Sequence, residues 1–184
     1  TEGEWMAIYF RRDRFDLVKS ATYWLSETPQ KVSKGWDGAC RRTVTMALLE
    51  EKSSGMKWLY MNTHLDHVGP VARAESIKLL TRLAEDWAGK KIPVVIGGDM
   101  NSTLNDTIFR SFYAANLFSA RNIVCPDDTL STYNAYGKGS ASQIDHFFVK
   151  GIIPTSVETL TRSFGVDYIS DHYPVAMIFQ LHKK

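Results

Sequence analysis

The stretch Lys57-Trp-Leu-Tyr-Met-Asn-Thr63 places large apolar side chains on both faces of a predicted strand. Trp58 and Tyr60 point to one face, and Leu59 and Met61 point to the other, because side chains alternate along a strand. The residues Thr43 to Leu49 are predicted to pair with this strand as a hairpin that turns at Ser53-Ser54-Gly55. A strand with two apolar faces is covered on both sides, so the pattern excludes a sheet with one face in water.

The rest of the chain alternates predicted strands with helices. A helix begins at Gly69-Pro70 and ends at Gly89, with Pro in the first turn, where its missing N–H costs nothing. A second helix is predicted over Thr107 to Ala115. Further strands are predicted at Trp5 to Phe10, Phe15 to Leu25, Pro93 to Ile96, Gln143 to Val149, Thr155 to Phe164 and Tyr173 to Leu181. Two packed sheets with helices outside satisfy this pattern, which is an α/β fold.

Length and composition predict one globular domain over residues 1–184, with no linker or repeat. The formal net charge of +2 is too small to argue for a nucleic-acid partner. Cys40 and Cys125 are expected to be two unlinked thiols, although they could pair. No apolar run has the length of a membrane span, and no protein partner is evident. Localisation, exported or cytoplasmic, cannot be inferred.

Polar residues with catalytic chemistry stand where apolar strands stop. His64 ends one strand, and Asp99 ends Val94-Val-Ile-Gly-Gly-Asp99. Asp145 begins a strand, and Ser170-Asp171-His172 directly precedes the last one. Taken singly, each is more often a turn or structural residue. Four strand ends that each carry Asp or His indicate a site at one rim of a β scaffold.

These motifs, in this order, resemble the signatures of the endonuclease/exonuclease/phosphatase superfamily. The matching stretches are Asn62-Thr-His64-Leu, Gly98-Asp99-Met-Asn101, Ile144-Asp145-His and Ser170-Asp171-His172. Tyr23-Trp-Leu-Ser-Glu-Thr-Pro29 looks closer still to a largely uncharacterised bacterial branch. The resemblance covers essentially the whole chain. It implies a deoxyribonuclease I-like, four-layer αββα sandwich with two mixed sheets.

The resemblance also implies a hydrolase that cleaves a phosphodiester or phosphomonoester by water attack, with Mg²⁺ or Mn²⁺ as the cofactor. It implies five catalytic residues, which are His64, Asp99, Asn101, Asp145 and His172. Asp171 and Asp99 are the implied metal ligands, and Arg42 and Asn101 are expected to contact substrate. Asp145 is expected to accept a hydrogen bond from His172 and to fix its tautomer. Asp66, His67 and His146 have no assigned role.

One departure from the family pattern concerns the beginning of the chain. The family uses an Asn in its first strand and a metal-binding Glu after its first helix, and both would lie upstream of Gly3. Glu4 and Glu27 do not follow a strand–helix unit of that kind. The resemblance therefore predicts that an upstream strand–helix segment is missing from these 184 residues, which alone are expected to be weak or inactive.

Two other interpretations remain open at this point. His64-Leu-Asp66-His67 is similar to the zinc loop of metallo-β-lactamase-like hydrolases, with Asn62 where the first His should stand. Alternatively, the chain is a non-catalytic relative that acts as a binding module. The substrate is also open among nucleic acid, sugar phosphate and phospholipid head group. Trp24, Trp36 and Tyr133 could stack on a base or sugar, and core packing explains them equally well.

Overall fold

A computed structural model describes residues 4–181 of the chain. The strands are β1 (Phe15–Trp24), β2 (Thr43–Glu51), β3 (Lys57–His64), β4 (Val94–Asp99), β5 (Phe118–Ser119), β6 (Asp145–Lys150), β7 (Ile152–Thr159) and β8 (Val175–Leu181). The α-helices are α1 (Pro70–Ala88), α2 (Arg110–Ala114) and α3 (Ala120–Val124), and short 3₁₀ turns lie at Thr107–Phe109 and Ala135–Gly137.

The strands form two sheets. The larger sheet has six strands in the order β1-β2-β3-β4-β6-β5, and β7 pairs with β8 in the smaller one. The β3–β4 pair is parallel and the other pairs are antiparallel, so the larger sheet is mixed. Helix α1 lies between β3 and β4 in the chain, as a parallel crossover requires.

Each face of the larger sheet has its own apolar core. Leu59 and Met61 face helix α1, where the apolar stripe that includes Ile77 and Leu80 is fully buried against them. On the opposite face, Trp58 and Tyr60 pack toward the β7–β8 sheet. The alternation read in the sequence is therefore confirmed, and so is the predicted α/β sandwich with two packed sheets.

The most visible correction concerns Trp5 to Phe10, which the sequence predicts as a strand. The described part of this segment forms no strand, and Trp5 and Tyr9 are 77% and 93% exposed. One hydrogen bond joins this segment to the larger sheet: Asn62 Nδ2 donates to the Ala7 carbonyl at 2.9 Å. Apolar alternation favours a strand, but a strand also needs a neighbouring strand to which its backbone can hydrogen-bond. This segment has no such partner among the described residues.

Other boundaries shift at the ends of elements. The helix predicted over Thr107 to Ala115 is a 3₁₀ turn followed by the single-turn α2. The strand predicted over Thr155 to Phe164 begins earlier and ends at Thr159, so the residues that follow form a loop beside the last strand. Element ends depend on local hydrogen bonds that periodicity does not report.

Candidate active site

Three neighbouring strands of the larger sheet carry a polar residue at the same edge. His64 ends β3, Asp99 ends β4 and Asp145 begins β6. His64 is paired with Asp99 in the parallel ladder, and Asp99 is paired with Asp145 in the antiparallel ladder. Paired residues lie side by side in a sheet, so the three form a row across its edge.

Asp99 is the centre of this group. Its Oδ2 lies 3.2 Å from His64 Nε2 and 3.7 Å from His172 Nε2. Its Oδ1 accepts a hydrogen bond from the Asn101 amide at 2.8 Å, and Asn101 Nδ2 donates to the Leu65 carbonyl at 2.9 Å. Asn101 has a φ of 46°, which Asn adopts more readily than most residues. The turn after β4 thereby fixes Asp99 and Asn101 together.

His172 reaches this row from the loop before β8, which belongs to the smaller sheet. Its Nδ1 lies 2.7 Å from Oδ2 of Asp145. When Nδ1–H donates to that carboxylate, Nε2 is left to face Asp99. The arrangement matches the orienting contact expected from the sequence, in which a carboxylate holds an imidazole in one tautomer.

A buried hydroxyl fixes the start of β6. Thr132 is fully buried, and its Oγ1 accepts hydrogen bonds from the amides of Ile144 and Asp145, each at 3.0 Å. These contacts hold the backbone that carries the Asp145 carboxylate. Sequence analysis missed Thr132, because a single Thr within an irregular loop carries no periodic or motif signal.

The loop after Thr132 holds the segment that carries His172. The Tyr133 ring centroid lies 5.0 Å from that of His172, so Tyr133 packs on the imidazole. The amide of Asn134 donates to the Asp171 carbonyl at 2.8 Å, and Asn134 Nδ2 donates to the Ser170 carbonyl at 3.2 Å. The sequence offers Tyr133 as an aromatic ring that could stack on a base or sugar, but in the structure this ring packs on His172.

Arg42 lies at the same edge, next to two imidazoles. Its NH1 is 3.0 Å from Nδ1 of His64, and its NH2 is 3.3 Å from Nδ1 of His67. The Glu4 carboxylate reaches the same place, with Oε2 at 2.6 Å from Arg42 NH1 and 2.9 Å from His64 Nδ1. Sequence analysis assigned Glu4 no place in the site. Here its carboxylate demonstrates that an anionic oxygen fits between Arg42 and His64.

The electrostatic environment separates the roles of Asp99 and His172. Burial opposes ionisation of Asp99. The hydrogen bond from His64, the Asn101 amide and the positive charges of the two histidines outweigh it, so the pKa of Asp99 lies below its ordinary value. The hydrogen bond to Asp145 raises the pKa of His172 against the effect of burial, and nearby carboxylates add to the rise. At neutral pH this favours an ionised Asp99 beside a readily protonated His172.

The donor atoms at this edge fit a divalent cation. One ligand atom each from Asp99, Asp145 and His172 lies within 4.8 Å of the others. Carboxylate oxygens are the ligands that Mg²⁺ and Mn²⁺ prefer. Asp171, the other ligand expected from the sequence, is outside this trio; its Oδ1 accepts a hydrogen bond from Ser170 Oγ at 3.2 Å.

A family model for the endonuclease/exonuclease/phosphatase family matches residues 5–172. The chain belongs to this family. A structure of an endonuclease/exonuclease/phosphatase from Bacteroides vulgatus is 27% identical, with a TM-score of 0.86 over 94% of this chain and 69% of that one. A mannosyl-6-phosphatase of Bacteroides thetaiotaomicron is 28% identical, with a TM-score of 0.81 over 94% of this chain and 69% of that one.

Curated relatives match this chain over a shorter stretch than the solved structures do. Mouse Nocturnin is 28% identical over 126 residues, which are 66% of this chain and 28% of the relative. The chain thus spans little more than a quarter of the curated relative's length. Among the described residues, no helix combines the length and apolar character needed to span a bilayer.

The family match bears on one of the interpretations left open by the sequence. It assigns the chain to the endonuclease/exonuclease/phosphatase family and not to the metallo-β-lactamase-like hydrolases. The second possible metal group joins Asp66 and His67 to Cys40 and does not include His64, so it does not reproduce the zinc loop. The family match leaves the non-catalytic alternative, a binding module, to be tested by activity.

Proposed function

We propose that this protein is a Mg²⁺- or Mn²⁺-dependent phosphoesterase that hydrolyses a phosphate ester by attack of water. The observation that carries the proposal is the approach of two imidazoles to one carboxylate oxygen. His64 Nε2 and His172 Nε2 lie 3.2 Å and 3.7 Å from Asp99 Oδ2. A binding module has no need of this combination of one ionised carboxylate with two proton carriers.

The roles of these side chains follow from their protonation. An ionised Asp99 accepts a hydrogen bond and then a proton from the attacking water. The water oxygen forms the new bond to phosphorus as the bond from phosphorus to the ester oxygen breaks. His172, held by Asp145, carries a second proton at Nε2 and donates it or a hydrogen bond to a phosphate oxygen. His64 contributes a second imidazole beside Oδ2 of Asp99. Asp145 acts by orienting His172, as the carboxylate of a catalytic triad does.

The cation would be held by Asp99, with Asp145 and His172 close enough to share in its binding. Asp171, which the family resemblance implies as a ligand, lies outside this trio. When bound, it supplies positive charge that offsets the phosphate anion and stabilises the leaving oxygen. Arg42 and Asn101 are the proposed substrate contacts. The Glu4 carboxylate between Arg42 and His64 occupies the kind of position that a phosphate oxygen would take.

We infer that a phosphomonoester of a sugar is the first substrate class to test. The mannosyl-6-phosphatase relative supports this choice, because it aligns over 94% of this chain at 28% identity. The near-neutral net charge of +2 supports it further, since a nuclease usually presents a strong basic stripe.

The test uses the full natural chain with Mg²⁺ against sugar phosphates, nucleotides, a phosphodiester and a DNA oligonucleotide. We expect turnover of a sugar phosphate, and a loss of about 100-fold or more in kcat for Asp99→Ala and for His172→Ala. Lys90→Ala, on the exposed loop after α1, is the matched control. Wild-type protein that binds phosphate but cleaves none of the panel would favour the non-catalytic alternative.

A further inference from the structure

Asp66 is buried, at 2% exposure, and both of its carboxylate oxygens accept hydrogen bonds from backbone amides. Oδ1 accepts from the amides of Val68 at 2.9 Å and Gly69 at 2.8 Å, and Oδ2 accepts from the Cys40 amide at 2.9 Å. The Ala39 amide also favours the ionised carboxylate and lowers its pKa. Burial raises the pKa of Asp66, but these amides outweigh it and hold the pKa well below its ordinary value.

The amides belong to two segments that both lead to the candidate site. Ala39 and Cys40 precede Arg42 by three and two residues, and Val68 directly follows His67. Arg42 in turn reaches the imidazole of His67, at 3.3 Å. Asp66 therefore links the two backbone segments that carry the Arg42 guanidinium and the His67 imidazole.

Asp66 is not a metal ligand in this arrangement, although Cys40, Asp66 and His67 each place a ligand atom within 4.8 Å of the others. A carboxylate offers about four acceptor positions, and three backbone amides already donate to this one. A cation at this place would also face the Arg42 guanidinium. The group therefore serves to hold the backbone.

The loop before Arg42 is packed closely on Asp66. A Cβ added to Gly38 would lie 3.3 Å from Asp66 Oδ2 and 3.0 Å from the Gly35 carbonyl. The Arg42 side chain is 10% exposed, so it has little room to find a second position. A side chain held in this way binds a ligand with a small loss of conformational entropy.

We propose that Asp66 is a positioning residue, which holds the Arg42 guanidinium where a phosphate oxygen of the substrate binds. The inference rests on the proposed function, in which Arg42 contacts phosphate. It assigns Asp66 a role through Arg42 and leaves the chemical steps to Asp99, His64 and His172.

The test measures binding of inorganic phosphate by calorimetry at a fixed Mg²⁺ concentration, in the full natural chain. Asp66→Asn places either an N–H₂ group or a neutral amide oxygen, which is a weaker acceptor, against the backbone amides. The loop before Arg42 then loses the hydrogen bonds that hold it. We expect the Kd for phosphate to rise about tenfold, as when one hydrogen bond to a charged group is lost. With an active substrate, KM should rise while kcat changes little.

A double-mutant cycle separates positioning from a general structural effect. On an Arg42→Lys background, Asp66→Asn should change the Kd by about twofold or less, because residues that act through one another are not additive. Asp106→Asn is the matched control: Asp106 also accepts from a backbone amide, that of Ile108 at 3.0 Å, at the start of the 3₁₀ turn Thr107–Phe109. It should lower stability and leave the Kd unchanged.

The outcomes distinguish this inference from the proposed function. A full tenfold effect of Asp66→Asn on the Arg42→Lys background, or an unchanged Kd on the wild-type background, overturns the positioning role. Wild-type protein that binds phosphate with the expected variant effects but hydrolyses nothing overturns the proposed function alone. If Asp66→Asn fails to fold, Gly38→Ala decides, since it crowds the same contact without removing a charge.

Discussion

Asp145 affects the candidate reaction through the ring that it orients. Replacing it by Asn keeps the shape but presents an N–H₂ group or an amide oxygen to Nδ1 of His172, now 2.7 Å from the carboxylate. The imidazole then loses its fixed tautomer and the charge that raises its pKa. We expect Asp145→Asn to lower kcat about 100-fold or more, measured by steady-state hydrolysis.

The same variant should leave the fold intact, because Thr132 binds the backbone amide of Asp145 and not its side chain. Its thermal unfolding midpoint, compared with that of Asp145→Ala, checks this point. Near-wild-type turnover by Asp145→Asn would remove the orienting role from the mechanism.

His146 lies next to Asp145 but faces the core, where it is 3% exposed. Its Nε2 lies 2.9 Å from the Ser102 carbonyl, to which the neutral ring donates. Burial lowers the pKa of His146 to about 4, against the opposing effect of that hydrogen bond. The unfolded chain therefore binds a proton that the folded chain excludes between about pH 6.5 and about pH 4.

We predict that stability falls across this window as the pH is lowered, by up to roughly 3 kcal/mol from this residue. His146→Gln can keep a donor near Ser102 but does not titrate. Urea unfolding at several pH values should give a shallower dependence for the variant. Parallel curves for both proteins would show that His146 is not excluded from protonation.

Strands β3 and β4 approach so closely that only glycine fits at Gly98. Its φ is +139°, and a Cβ there would lie 1.8 Å from the Thr63 carbonyl oxygen. Gly98→Ala must therefore push the strands apart beside the His64–Asp99 contact. We predict a loss on the order of 3 kcal/mol or more in the free energy of unfolding, together with loss of activity.

Gly55→Ala is the control for this prediction. Gly55 also has a positive φ, of 68°, but a Cβ there would meet no atom within 4 Å. Its substitution should cost only about 1 kcal/mol of backbone strain, with activity retained. Equal losses in unfolding free energy for the two variants would contradict the account based on contact with Thr63.

The elements that sequence analysis predicted are those with a strong period. Helix α1 has a Pro start, a Gly end and a continuous apolar stripe, and β3 has two apolar faces, so both were found with nearly correct bounds. The segment Trp5 to Phe10 shows the limit of the method, because alternation cannot say whether a neighbouring strand is present. Thr132 contacts the amides of Ile144 and Asp145, and Asp66 contacts that of Cys40, which lies 26 residues away. Spacing along the chain does not encode such contacts.

The candidate site draws on both sheets of the molecule. His64, Asp99 and Asp145 belong to the six-stranded sheet, while His172 precedes β8 of the two-stranded one. A two-stranded sheet is marginally stable alone, and Met177 and Phe179 on β8 are only partly buried against the larger sheet. Separation of the sheets would carry His172 away from Asp145 before the larger sheet unfolds.

We predict that amide hydrogens of β7 and β8 exchange with solvent faster than those of β3 and β4, measured by mass spectrometry. Activity should also be lost at a urea concentration below the main unfolding transition. A single coincident transition for activity, circular dichroism and exchange would indicate that the two sheets unfold as one unit.

The pairing of His64 with Asp99, and of Asp99 with Asp145, has a consequence for protein engineering. Because ladder register sets these positions, the intervening segments 65–93 and 100–144 do not have to keep a fixed length for the row to form. A graft that exchanges the exposed residues 138–141 for a loop of another size should therefore preserve the reacting groups while altering what they meet. Inserting one residue within β4 would turn Asp99 to the opposite face and abolish activity.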